Sequence, residues 1–379
     1  MSRICKLFGR KAFGAGCLAA TVFAVLFLAT VGDAAAQRGL DPALIQQLQG
    51  GNVPGGVEGT NPVSDEWRSI RQGINGSVSI PDKKAGTLVQ SEGEAWRSFH
   101  NGPLKTYSLY VLGGMLALLA VFFLLRGRIR IEHGKSGKTI TRFNGFERFG
   151  HWLLATSFIV LALTGLNLVY GRYVLLPLIG ADAFAELTWI GKHLHNYLSA
   201  GFIIGLGIIF VLWVARNIPH YRDLIWMSKA GGLFVKGVHP PSGKFNAGQK
   251  VIFWLVILGG VSISLSGWAL LFPFEYAMFG KTFEFVNLFG FDLPTQLTPL
   301  QEMQLAQLWH SIVAVVLTAV ILAHIYIGSI GMEGAFDAMG SGEVDLNWAK
   351  EHHNLWVEEV LGEEAFKHAE PPAKAAPAE

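Results

Sequence analysis

Five apolar runs dominate the chain, near residues 107–125, 150–170, 195–215, 250–271 and 306–330. Each is about 20 residues long, which as a helix matches a hydrocarbon core about 30 Å thick. No water is available there, so every run must close its own peptide hydrogen bonds, and the expected fold is an all-α, multi-pass membrane protein. Composition excludes an ordinary soluble globule: 51% of the 379 residues are hydrophobic and 15% are charged. The net charge of +2 carries no basic excess of the kind a nucleic-acid partner requires.

The placement of the charges implies a topology. Arg126, Arg128, Arg130, Lys135, Lys138, Arg142 and Arg148 stand between the first two runs, and Arg216, Arg222, Lys229, Lys236, Lys244 and Lys250 between the third and fourth. The other two connections hold only Arg172 with Lys192, and Lys281. The positive-inside rule therefore places the basic loops and the C-terminus in the cytoplasm. The start of the chain agrees. Arg3, Lys6, Arg10 and Lys11 precede an apolar stretch from Ala12 to Val31 and the small residues Ala34, Ala35 and Ala36. This pattern reads as a signal peptide over 1–36 cleaved after Ala36, or as an uncleaved helix, and either delivers residue 37 to the periplasm. Both cysteines, Cys5 and Cys17, fall within it, so any redox centre further on uses other ligands. Residues 37–104 are polar, rich in Gly, Ser, Pro and Asn, and are expected to form an irregular periplasmic segment.

Histidine placement points to the chemistry. His100, His133, His220, His239, His352, His353 and His368 fall in expected loops or tails, where solvent exposure explains them. His151, His195, His310 and His324 lie in or at the ends of apolar runs, where an ionisable side chain is costly and a functional role is the first hypothesis. His310 and His324 share the last run fourteen residues apart, which in a helix is roughly 21 Å of rise on nearly one face. One face thus presents two depths. His151 opens its helix from the cytoplasmic side and His195 from the periplasmic side, so matching depths pairs His195 with His310 and His151 with His324. Two imidazoles can close both axial positions of a haem iron, a ligation suited to electron transfer because no position stays open to substrate. The expectation is a diheme relay across the bilayer with two haems b. His193 is a rival to His195, but on a helix it faces elsewhere. Gly165 could give a macrocycle room, although Gly165, Gly201 and Gly205 all read equally well as ordinary small-residue helix packing. Arg142, Arg148 and Lys250 are candidate partners for haem propionates.

The stretches RFNGFERFGHW with LALTG, GKHLHNYLSAGF, RNIPHYRDL, GKFNAGQKVIFW, LWHSIVAVVLTAVILAHIYIGSIGM and WAKEHHNLW carry a resemblance over about 140–360. This region resembles the cytochrome b556, or gamma, subunits of respiratory formate dehydrogenase. The resemblance implies a four-helix diheme cytochrome b domain over 140–335. It says nothing about residues 37–139, so the apolar run at 105–126 is an extra transmembrane helix outside the family pattern. The charge distribution makes 336–379 a cytoplasmic tail. The resemblance puts the axial ligands on the same four histidines, and a quinone site on Asn246, Gly248 and Gln249 beside His324. It also implies partners: a catalytic alpha subunit, an iron-sulfur beta subunit and membrane quinone, in the bacterial inner membrane. The chain itself would hold no formate-oxidising site. The loop has a second explanation, a helix entry with Asn246 as N-cap and Gln249 at N3, and both can be true together. The alternative function is the diheme cytochrome b of a hydrogenase or thiosulfate-type reductase. A haem-free anchor or metal transporter is the rival from another class.

Overall fold

The computed structural model describes residues 76–77, 87–89 and 93–366. The signal-like start and most of the irregular segment lie outside the described residues. Among the described residues, five helices are long and apolar enough to cross a membrane, over Trp96–Arg126, Gly145–Val174, Ala181–Arg216, Ala247–Leu271 and Pro299–Gly331. Their α-helical bodies are α1 (Lys105–Arg126), α2 (Gly145–Val174), α3 (Ala181–Trp213), α4 (Ala247–Leu271) and α5 (Pro299–Tyr326). Many of their large apolar side chains are exposed, Leu124 and Leu125 of α1 most of all, as a hydrocarbon solvent requires.

The helices run past the apolar cores seen in sequence, and α3 does so furthest. It begins at Ala181, directly after Gly180 with φ 81°, and its first turns include Asp182, Glu186 and Lys192. Hydropathy passes over such charged turns, yet the Ala- and Leu-containing sequence is a good helix former. His195 therefore lies in the body of α3, not in its first turn.

The chain divides into two compact units. One comprises Val111–Val261 and the chain from Ala314 onward. Here α2 packs on α3 through small residues. A Cβ added at Gly205 would lie 2.8 Å from the backbone N of Leu154, and one at Gly150 would lie 2.6 Å from the Ile208 side chain. Backbones this close give van der Waals contact where the hydrophobic effect offers nothing. Phe202, Leu206 and Ile209 are buried in the same region. The end of α1 docks here too: Phe122 meets Phe234 and Tyr326 edge-on, and Arg126 Nε donates to Leu233 O at 2.8 Å.

The expected tail is folded through Phe366. Strand β1 (Thr139–Thr141) pairs antiparallel with β2 (Glu343–Asp345), with Ile140 opposite Val344. Helices α6 (Leu346–His352) and α7 (Asn354–Leu361) follow, burying Val344, Trp348, Ala349, Trp356 and Val357. The Glu351 carboxylate accepts from the backbone N–H groups of Glu132 and His133, each at 3.0 Å. This ties the α1–α2 connection to α6.

The second unit includes the described residues up to Tyr110 and Ser262–Val313. Within it the buried Glu302 carboxylate accepts from Phe279 N at 2.7 Å and Gly280 N at 2.8 Å, capping the short helix Phe279–Asn287 against the first turn of α5.

Gly205→Val should force α2 and α3 apart, because the clash is with backbone and cannot be relieved by a rotamer. The expected loss is about 1–3 kcal/mol, read as a lowered midpoint in detergent unfolding, whereas Gly207→Ala, which meets open space, should be close to neutral.

Candidate functional site

The site begins with a helix cap. Asn144 Oδ1 accepts from Phe146 N and Glu147 N, each at 2.9 Å, and Glu147 Oε2 accepts from Asn144 N at 2.9 Å, a reciprocal capping box at the start of α2. The other Glu147 oxygen accepts from Trp213 Nε1 at 3.0 Å and from Lys244 Nζ at 2.8 Å. One buried carboxylate thus fastens the start of α2, the end of α3 and the loop before α4. His151 follows Glu147 by four residues, about one turn further along α2.

His151 and His324 face each other, with ring centroids 6.2 Å apart and planes inclined at 59°. With metal–imidazole bonds of about 2.0–2.1 Å and a ring centroid about 1.1 Å beyond the donor atom, two imidazoles on opposite sides of one metal lie roughly 6 Å apart. The observed spacing would accommodate one metal between the two rings. His151 Nδ1 is buried without a hydrogen-bond partner among the described residues. Among those residues no group of three or more His, Cys, Asp or Glu gathers around a point. A planar macrocycle supplies its own four equatorial nitrogens and asks only two axial ligands of the protein, so a facing pair fits it.

The other two histidines each sit in the same local setting, one in each unit. His195 Nδ1 lies 2.8 Å from Thr164 Oγ1, and a Cβ on the next residue, Gly165, would come within 3.7 Å of His195 Cε1. His310 Nδ1 lies 3.1 Å from Ser266 Oγ, and a Cβ on the next residue, Gly267, would come within 3.1 Å of His310 Cε1. His193 points elsewhere: its ring packs against Trp189 at 4.4 Å and Tyr197 at 6.4 Å, both exposed.

The loop before α4 forms a second capping box. Asn246 N donates to Gln249 Oε1 at 3.1 Å and Gln249 N donates to Asn246 Oδ1 at 2.9 Å. Arg142 Nη2 also donates to Gln249 Oε1, at 3.3 Å, and to Lys244 O at 2.8 Å. With both side-chain oxygens engaged, the two amide NH₂ groups remain as donors. Gly248 is held close to Trp226, whose ring would lie 2.9 Å from an added Cβ, so this glycine makes room for an indole. The C-terminal segment closes on the loop: His353 Nδ1 donates to Gly243 O at 2.7 Å, Ser242 N to Asn354 Oδ1 at 2.9 Å, and the Trp348 ring lies 5.1 Å from the Arg142 guanidinium carbon. The KFNAGQK and WAKEHHNLW stretches, a hundred residues apart in sequence, are neighbours in space.

Residues 142–342, just over half of the chain, match the family model described as prokaryotic cytochrome b561. The chain belongs to this family. It is related to cytochrome b556 subunits of formate dehydrogenase. The Fdo subunit of Escherichia coli K12 is 28% identical over 60% of this chain and 95% of the relative. The nitrate-inducible Fdn subunit of the same strain is 26% identical over 62% and 97%, and a Haemophilus influenzae subunit is 26% identical over 59% and 84%.

In this b561-family chain several expected roles change. His353 is buried and His352 partly buried, not exposed, because the segment carrying them folds against the loop. The candidate propionate partners all have protein partners: Arg142 as above, Arg148 with Ser341 O, and Lys250 with Asp223 at 2.9 Å and Ile218 O at 3.1 Å. Gly201 and Gly205 serve helix packing, against Ser157 and Leu154. Thr164, Ser266 and Gly267 escaped the sequence reading. The signal that could have found them is a hydroxyl residue followed by glycine inside an apolar run, at Thr164-Gly165 and again at Ser266-Gly267.

Burial lowers the Arg142 pKa to about 9, opposed by the nearby Glu147, so the guanidinium is still a cation at neutral pH. Burial also lowers His352 to about 4, with Glu351 opposing and His239 and Arg142 reinforcing, and lowers His353 well below the ordinary range. These imidazoles are neutral in the fold and protonate more readily when it opens. The unfolded segment gains protons first, so stability falls as pH drops below about 6.5 and, for His352, continues to fall toward about 4, by on the order of 3 kcal/mol. Hydrogen exchange in 343–361 should accelerate over that window, and pH-independent protection would contradict the assignment.

Glu147→Ala should cost about 3–5 kcal/mol, because it leaves Lys244 half-buried without its counter-charge and unfastens three segments at once. The unfolding midpoint of purified protein measures this, and Glu147→Gln should lose less because the amide oxygen can still cap α2.

Proposed function

We propose that this chain is the membrane-anchoring diheme cytochrome b subunit of a quinone-linked formate dehydrogenase. In this reading it passes electrons from a periplasmic iron-sulfur subunit to membrane quinone at the cytoplasmic side. The observation that carries it is the His151–His324 pair, whose 6.2 Å ring separation suits two axial ligands of one iron. Family membership and the printed identity of the relatives as formate dehydrogenase cytochrome subunits support the rest. The four-helix bundle of α2 to α5, with α1 as an addition, is part of the proposal.

His151 and His324 hold the haem b nearer the cytoplasm, and His195 and His310 the one nearer the periplasm. The second pairing rests on matched depth along the helices and on the identical hydroxyl-and-glycine setting each histidine has in its own unit. The bound haems supply one-electron carriers, which the aliphatic helices lack. Asn246 and Gln249, their oxygens already engaged, offer N–H donors to a quinone carbonyl without a fixed charge. Gly248 keeps the turn flat and admits Trp226 beside it. The basic loops face the cytoplasm, where protons for quinone reduction are taken up while negative charge moves inward, so turnover adds to the membrane potential. Formate chemistry belongs to the alpha partner, contacted through the beta subunit.

Two measurements test this. Wild-type protein should give two haems b per chain by the pyridine haemochrome assay, and His310→Ala and His324→Ala should each leave one. Two haems in both variants would refute the ligand assignment. Affinity purification from native membranes should bring down a molybdenum or tungsten enzyme with an iron-sulfur subunit, and recovery of a nickel-iron hydrogenase instead would remove the formate assignment.

A further inference from the structure

Where α1 ends, three segments enclose a hollow of about 360 Å³, part of it open to solvent. The end of α1 and the residues after it bring Arg126 and Arg130, the loop between α3 and α4 brings Leu233, Val235 and His239, and the end of α6 brings His352. All three segments belong to one compact unit. The loop is bent to this shape at Gly231 and Gly232, with φ 64° and 74°, and a Cβ on Gly232 would collide with Val238 O. Only glycine permits that approach, which brings residues 233 and 239 into one lining. Glu132 also lines the hollow, but its carboxylate is engaged: one oxygen accepts from Gly237 N at 2.6 Å and the other lies 3.1 Å from His239 Nε2. Arg126 gives one of its five N–H groups, Nε, to Leu233 O at 2.8 Å. Its other N–H groups and the exposed Arg130 guanidinium stand ready for a further acceptor. His352 Nε2 is buried without a hydrogen-bond partner among the described residues, and with its hydrogen there the ring also needs an acceptor. Two guanidiniums and an imidazole around one hollow match the oxygens of a phosphate group.

The surroundings decide what carries the phosphate. Leu124 and Leu125, in the turn before Arg126, are 81% and 84% exposed, and Phe234 and Val235 of the loop are 65% and 59% exposed. Apolar surface thus reaches from the crossing helix to the guanidiniums. A free phosphate ion would use the charges alone, whereas a phospholipid uses both. We infer that this hollow holds the phosphate of an anionic phospholipid on Arg126, Arg130 and His352, with the acyl chains along the end of α1. A choline headgroup fits less well, because its ammonium would meet the same guanidiniums. The bound lipid joins α1 to the loop before α4 and to α6. Arg126, Arg130 and His352 all lie outside residues 142–342, the part that matches the family model, so the site is this chain's own addition and stands apart from the haem and formate readings.

The test uses full-length protein purified in detergent and depleted of lipid, titrated with dioleoylphosphatidylglycerol and read by native mass spectrometry. Wild type should retain phosphatidylglycerol at concentrations that leave no dioleoylphosphatidylcholine bound. Arg130→Ala removes an exposed side chain, and Arg126→Gln removes the charge while keeping an N–H for Leu233 O. Each should raise the half-saturating phosphatidylglycerol concentration about tenfold, the worth of a charge-assisted hydrogen bond. Arg128→Ala takes the same charge from the same segment but outside the lining, and should change it by less than about twofold. Should Arg126→Gln fail to fold, Arg130→Ala against Arg128→Ala decides. Equal retention of phosphatidylcholine, or no retention of either lipid, overturns the inference. So do equal losses in Arg128→Ala and Arg130→Ala, which would mark a diffuse basic field. Displacement of the lipid by an equal concentration of inorganic phosphate also overturns it, because the site would then read phosphate alone.

Discussion

The Glu147 carboxylate is the constraint on which the basic end of the molecule depends. It caps α2 from within, accepts the indole N–H of Trp213 at the end of α3, and pairs with Lys244 ahead of α4. A buried charge is expensive unless its lone pairs have partners, and here three groups share two oxygens. That cost ties the three segments to one carboxylate. His151 inherits its position from this cap, being one turn further along α2, and its facing of His324 follows from the cap and from the close α2–α3 contact at Gly205.

Polar groups elsewhere in the helices obey the same economy. A lone imidazole among aliphatic side chains needs a partner, and two kinds are found. His151 and His324 lie at metal-bridging distance from one another, whereas His195 and His310 each meet a hydroxyl already committed to its own helix. In the first case the polar demand is met only when a metal lies between the rings. In the second, one ring nitrogen of each histidine faces a hydroxyl oxygen. The two settings are therefore chemically distinct.

The loop at Asn246 to Gln249 is first a structural device. Its capping box starts α4 and occupies both side-chain oxygens, leaving the two amide NH₂ groups as donors. Arg142, drawn in by Gln249 and covered by Trp348, steadies the loop from below. Part of the resemblance to the formate dehydrogenase subunits therefore has a physical explanation, since the segments that carry it are those that must fit one another around this loop.

Membrane class and five long apolar helices were legible from residue order, because hydrocarbon imposes a length on every crossing. The capping box at Asn246 was equally legible, since it is a contact between residues three apart. What residue order could not disclose was every relation between distant segments. His352 and His353 read as exposed because their own surroundings are polar, and only the return of α6 and α7 onto the loop buries His353 and partly covers His352. α3 read short because its charged first turns fail a hydropathy test that helix propensity passes. Thr164 and Ser266 carry no local signal of their partners, and only another helix brings an imidazole within hydrogen-bond reach of each. Length and transfer free energy are local properties of a sequence, whereas the partner that satisfies a buried polar atom is chosen by the tertiary fold.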